Sequence, residues 1–223
     1  MCGRYTLGAP DDDLADLLDL PETPSLEPRY NIAPTQPVPV VRLMPAGEVR
    51  ELQMLHWGLI PSWSKDPAMG ARMINARSET AAEKPAFRTA MRQRRCLIPA
   101  DGFYEWQRTA GRKQPHYIRK RDRAPFAFAG LWEHWEGPEG AVIESCTILT
   151  TTPNDLLRPL HDRMPVILEP SDYALWLDAA VNDASRVQPL LRPYQPDDLI
   201  AHPVGTHVNS PRNEDPRCTE PLE

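Results

Sequence analysis

The stretch Cys96-Leu97-Ile98-Pro99-Ala100-Asp101-Gly102-Phe103-Tyr104-Glu105-Trp106 decides the fold class. It holds two short runs of strand-forming residues, 96–98 and 102–106, interrupted at Pro99 and Gly102, as strands bounded by turns should be. Working outward, runs of the same kind stand at 38–43, 52–57, 116–119, 126–130, 147–151 and 166–168. Helical signals are fewer. Residues 11–20 place Leu14, Leu17 and Leu18 at helical spacing behind an acidic first turn. Residues 79–92 bring Phe87, Ala90 and Met91 to one face, with Ser78 as the amino-terminal cap. Weaker helical patterns lie at 172–177 and 184–191. Strands outnumber helices and do not alternate with them, which predicts an α+β domain with a mostly antiparallel, barrel-like β-sheet and flanking short helices. Neither G-x-G-x-x-G nor G-x-x-x-x-G-K-[ST] occurs, so dinucleotide and P-loop folds have no support.

Composition narrows the class further. The chain has 223 residues, the size of one domain, and 26 of them are proline, more than double the ~5% of ordinary proteins. Only 11 are glycine, so the prolines do not belong to a low-complexity linker. Prolines spread along the whole chain imply short elements and stiff turns, which rules out a coiled coil or a helical solenoid. No repeat or linker divides the chain, so residues 1–223 are expected to form a single domain, with 209–223 a loose C-terminal tail. No apolar run reaches the ~18 residues of a membrane helix, and Met1 to Tyr5 lacks a signal-peptide pattern. The expected location is cytoplasmic, associated with the nucleoid, and the expected state monomeric. Cysteines at 2, 96, 146 and 218 show no C-x-x-C spacing, so free thiols and no metal cofactor are expected. The apolar neighbours of Cys96 and Cys146 predict buried, inert thiols. A net charge of -6 argues against a nucleic-acid partner when averaged over the chain. Resolved by segment it says something else: residues 69–131 carry 14 bases and 5 acids, whereas 132–223 carry 6 and 16. The basic middle is either a solvated face or a binding face.

Several polar residues are chemically suggestive. If Met1 is removed, Cys2 presents an α-amine and a thiol on adjacent carbons. Such an amine has a pKa of about 7.7–8.0 and forms a Schiff base with an aldehyde, after which the thiol can close a thiazolidine ring. The bland alternative is a cysteine on a frayed terminus. Glu105 sits among three aromatics, where burial would raise its pKa into the range of a general acid or base; otherwise it is an outward-facing strand residue. His161-Asp162-Arg163 packs an imidazole, a carboxylate and a guanidinium into one proline-bounded loop, although a lone histidine is more often structural. Asn75 offers a donor and an acceptor, and Arg77, at the predicted helix start, suits a phosphate. Trp57 and Trp63 stand next to prolines, as core packing or as base-stacking platforms.

Together these segments resemble the SRAP (SOS response-associated peptidase) family. The resemblance runs from Met1-Cys2-Gly3-Arg4-Tyr5 through Arg29 to Pro34, Trp57 to Trp63, Asn75 to Thr80, Cys96 to Trp106, Thr150-Thr151 and His161 to Pro165, and ends at Val208-Asn209. It implies a protein of the DNA-damage and SOS response that shields abasic sites in single-stranded DNA through a covalent thiazolidine crosslink. It also implies Schiff-base lyase-type chemistry, with Cys2, Asn75, Glu105 and His161 as catalytic residues. In that frame Arg4, Arg77 and Arg163 are phosphate contacts and Trp63 and Trp106 stacking platforms, with no cofactor. The competing functions are a thiol peptidase or autoprocessing hydrolase with Cys2 as nucleophile, and a DNA-binding module without chemistry.

Overall fold

The computed structural model describes residues 2–44, 49–109 and 111–222. In chain order the elements are β1 (Tyr5–Leu7), α1 (Asp11–Leu18), β2 (Arg29–Ile32), β3 (Pro37–Leu43), β4 (Arg50–Trp57), β5 (Asn75–Arg77), α2 (Arg88–Gln93), β6 (Arg95–Ala100), β7 (Gly102–Thr109), β8 (Arg112–Lys120), β9 (Phe126–Glu136), β10 (Val142–Thr151), β11 (Met164–Pro165), β12 (Ile167–Leu168), α3 (Tyr173–Leu177), α4 (Ala184–Val187) and β13 (Leu199–Pro203).

Strands β4, β3, β6, β9 and β10 pair in that order, and β10 pairs back with β4, so the five close into a barrel. Every contact in the ring is antiparallel except β4 with β10, so the fold is α+β with a largely antiparallel barrel, as the sequence predicts. A second, five-stranded sheet runs β13-β8-β7-β1-β2. Alternation along its strands sends Tyr5, Phe103 and Ile118 into the main core and Tyr104 and Tyr117 into a smaller one. The main core is aromatic at its centre: Tyr5 meets Trp57 and Phe128 edge-on at centroid distances of 5.3 and 5.8 Å. Cys96 and Cys146 are buried, and burial pushes both thiols up, away from the reactive thiolate.

Two expectations are corrected. The helix predicted over 79–92 forms only at Arg88–Gln93, because Pro85 cannot donate to a helical ladder and residues 79–87 fold as turns instead. Ser78 is therefore no helix cap: it is buried, and its N–H donates to Thr150 O (2.9 Å). Arg77 lies at the end of β5, not at a helix start. The tail is not loose over 209–222. Asn31, fully buried, donates through Nδ2 to the carbonyls of Val208 (3.2 Å), Ser210 (2.9 Å) and Asn213 (2.8 Å). Glu214 Oε1 accepts from the N–H groups of Tyr30 and Asn31, and Cys218 is buried in the smaller core with Val204 and Val208. Polar backbone groups satisfied this way hold a segment whose sequence has no periodicity to announce it. Among the described residues no helix is long and apolar enough to cross a membrane.

Candidate active site

Two pieces of sheet bring the suspected residues together. On one side, β1 pairs antiparallel with β7, and Tyr104 N–H donates to Arg4 O (3.0 Å), which sets the residues preceding β1 beside Glu105. On the other side, the C-terminal half of β10 carries β5 in parallel, with Ile148 opposite Asn75 and Thr150 opposite Arg77, and β11 antiparallel, with Thr150 opposite Pro165. The loop of His161 enters β11 directly, so one strand end places both Asn75 and His161. The halves are joined where Asn75 Nδ2 donates to Cys2 O at 2.8 Å.

Cys2 is 0% exposed, and its Sγ lies 3.8 Å from Arg4 O. Burial pushes its thiol well above the ordinary range, and the nearby Glu105 charge adds to that rise. Glu105 is 2% exposed, and burial raises its carboxyl to about 7, opposed by the Trp106 backbone N–H. It is thereby poised to give and take a proton near neutrality. His161 is shifted the other way, down, chiefly because partial burial disfavours the imidazolium. Asn75 Oδ1 is buried and accepts no hydrogen bond from the described residues, so its acceptor capacity faces the site unused.

A groove of about 620 Å3 opens beside Asn75, walled by Trp63, Arg77, Lys84 and Phe87. A second hollow of about 580 Å3 is lined by Thr152, Arg158, His161 and Asp162. Trp63 is 57% exposed, whereas Trp57 is fully buried and donates Nε1–H to Ile74 O (2.9 Å). Trp106 donates Nε1–H to Asn209 Oδ1 (2.8 Å), and the Arg4 guanidinium lies 5.9 Å from its ring. Arg4 itself donates to Asn31 Oδ1 (2.6 Å) and Val208 O (2.8 Å). Arg163 donates to both oxygens of Glu79 (2.7 and 2.8 Å) and to Thr150 O (2.5 Å). Of the three arginines, Arg77 stands exposed at the groove, while Arg4 and Arg163 bring their charge to the site from within networks. Neither Lys84 nor Phe87 was among the site residues suggested by the sequence: Phe87 read as one face of the predicted helix, and the only signal for Lys84 was its place in the basic middle. Among the described residues no cluster of His, Cys, Asp or Glu could hold a metal ion.

The family profile described as "SOS response associated peptidase (SRAP)" matches residues 1–211. The chain is 45% identical to the "Abasic site processing protein YoqW" of Bacillus subtilis (strain 168), covering 99% of both proteins. It is 34% identical to the "Abasic site processing protein HMCES" of Xenopus tropicalis, covering 86% of this chain and 65% of that one. A crystal structure of a Bacteroides thetaiotaomicron protein, 25% identical, superposes with a TM-score of 0.88 over the full length of both chains. One from Bordetella bronchiseptica, 32% identical, gives 0.78 over 92% of this chain and all of that one. With the match reaching from the first residue through the loop of His161 to the segment that pins Arg4, the chain belongs to the SRAP family.

Proposed function

We propose that this protein processes abasic sites in single-stranded DNA, shielding them as a covalent adduct on Cys2. The observation that carries the proposal is the convergence on Cys2 of the Asn75 amide, bonded to its carbonyl, and the buried Glu105 carboxyl with its pKa near 7. Names borne by the relatives, abasic site processing proteins, point the same way.

In this scheme Met1 is first removed. Protonated Glu105 delivers its proton to the ring oxygen of the closed deoxyribose as the carbon–oxygen bond breaks, while the anomeric hydroxyl gives its proton to neutral His161, leaving the aldehyde. The Cys2 amine adds to that carbon and water departs, leaving an imine. The thiol sulfur then adds to the same carbon while its proton passes to the imine nitrogen, closing the thiazolidine. No thiolate is needed in bulk, which agrees with a thiol whose burial favours the neutral form. A peptidase using Cys2 as a free thiolate lacks that support. Asn75 Oδ1 is the acceptor for a sugar hydroxyl, and neutral His161 shuttles the proton of the opened ring. If ring closure lags, the imine acidifies the neighbouring carbon and permits β-elimination, a lyase-type side reaction. Trp63 and Phe87 offer a stacking surface to the flanking base, and Arg77 and Lys84 meet the phosphates. An exposed aromatic platform such as Trp63 suits the unpaired bases of a single strand.

The test compares oligonucleotides with and without an abasic site. The wild type is expected to give a heat- and detergent-stable adduct only with the abasic strand. Cys2→Ala should abolish that adduct while still binding intact single strands, and a surviving stable adduct in this variant would refute the aminothiol mechanism. Intact-mass analysis showing Met1 retained would refute it as well.

A further inference from the structure

His161 Nδ1 has two neighbours that demand opposite protonation states. The backbone N–H of Arg163 donates to it at 3.0 Å, which requires a lone pair there and leaves the imidazole neutral with its proton on Nε2. Asp162 Oδ1 stands 2.9 Å from the same atom, which is an ion pair only if Nδ1 carries a proton. Both bonds cannot be made at full strength, so the geometry of residues 161–163 chooses between them.

That geometry is fixed from outside the loop. The Arg163 side chain is 12% exposed and closes a bidentate pair with Glu79, while Nη2 also reaches Thr150 O. A planar guanidinium held at both nitrogens cannot swing, so the backbone of Arg163 cannot turn its N–H away from the imidazole. Asp162 has no comparable anchor: its side chain is 88% exposed and water competes for it. Glu79 belongs to the turns that follow β5, two residues after Arg77, so the strand that carries Asn75 also carries the anchor for the histidine loop. The Arg163 hydrogen bonds hold the Glu79 carboxyl below its ordinary range, so the anchor stays charged across the neutral region.

We propose that Glu79 is a positioning residue which, by clamping Arg163, keeps His161 neutral with its proton on Nε2. The clamp biases Nδ1 towards the amide and away from Asp162. Its importance for the reaction rests on the reading of His161 as a proton shuttle, whereas the protonation state itself does not. The ring also feels the chain's α-amino group and Arg108 from β7, both of which oppose the imidazolium, and Asp162, which favours it. Glu105, on the same strand as Arg108, interacts with Asp162.

The experiment is nitrogen-15 NMR of the histidine ring nitrogens across pH 5–9, on the full chain without DNA. In the wild type, His161 is expected to show a lone-pair Nδ1, a protonated Nε2 and a titration midpoint below that of an exposed histidine. In Glu79→Gln, which keeps size and a weaker hydrogen bond, the midpoint is expected to rise by 0.5 or more, with Nδ1 protonated at pH 7 in a substantial fraction. Glu79→Asp, which restores the charge, should recover part of the wild-type pattern. Adding Asp162→Asn to Glu79→Gln should return the midpoint towards the wild-type value, because the negative charge that favours a protonated Nδ1 is gone. An unchanged tautomer and midpoint in a folded Glu79→Gln protein overturns the proposal, whatever its crosslinking rate. If Glu79→Gln does not fold, Glu79→Asp alone decides: its carboxylate, one methylene short of Arg163, must still shift the midpoint upward. A shifted tautomer with an unchanged rate of adduct formation would leave the clamp standing and remove His161 from the mechanism.

Discussion

Glu105 carries a cost that can be measured apart from any DNA. Its carboxyl is raised in the folded chain to about 7, above its ordinary value of 4.5. For an acid shifted this way the native state holds the proton more tightly, so stability is greatest below the unfolded pKa and falls as pH climbs from about 4.5 to 7. Replacing it with the neutral isostere removes that loss. Glu105→Gln is expected to be more stable than wild type at pH 8 by on the order of 2 kcal/mol and nearly equal at pH 4, as read from urea unfolding at both values. Equal stabilities at pH 8 would mean that the carboxylate is satisfied in place. The same substitution should slow adduct formation by about 100-fold, in the range of a lost general acid. In the wild type the rate should peak between about pH 7 and 7.7, falling on the acid side as the Cys2 amine takes a proton and on the alkaline side as Glu105 loses one; in Glu105→Gln the alkaline decline should vanish.

At the scale of elements, what the sequence showed and what it hid divide along physical lines. The strands of the barrel were legible because their side chains alternate or run apolar within a few residues: the interiors of β3, β4, β6, β9 and β10 were all marked. The aromatic setting of Glu105 left burial and an outward-facing position both open, and the structure shows it buried, whereas apolar flanks foretold the burial of Cys96 and Cys146. β5 was hidden because three residues show no period; it exists through its parallel hydrogen bonds to β10. The false helix at 79–87 arose from apolar spacing that Pro85 overrides, and the packed tail from hydrogen bonds to Asn31, a long-range partner that no local pattern reveals. Close approach between strands was equally invisible. An added Cβ at Gly130 would stand 2.8 Å from Cys96 Sγ and 2.9 Å from Ile98 Cδ1, across the β6–β9 pairing. Gly130→Ala should therefore destabilise the protein by about 1–3 kcal/mol in chemical denaturation, and Cys96→Ala in the same chain should restore part of the loss.

Over the whole molecule, the net charge of -6 conceals how its positive part is spent. Within the basic middle, Arg94 pairs with Glu133, and Arg95 is buried against the carbonyls of Met91, Arg92, Trp176 and Asp178. Arg77 and Lys84 remain at the groove beside Asn75. A short basic surface on a chain of net negative charge should bind single strands weakly and with few released counterions. The slope of log affinity against log salt is expected to be shallow for intact single strands, and Arg77→Ala with Lys84→Ala should lower its magnitude by roughly 0.7 for each charge removed. A slope untouched by the double substitution would place the strand elsewhere. The same spatial arrangement has a bearing on synthesis. Cys2 is enclosed by residues that reach the ribosome exit late: Asn75 and Glu105 midway, and Val208, which accepts from Arg4, near the end. At about 5–20 residues per second, roughly 10–40 s separate the emergence of Cys2 from that of the segment that locks its strand. The amino terminus is thus the first part made and among the last to be closed over, and any enzyme that trims it works in that interval on an open, unfinished chain.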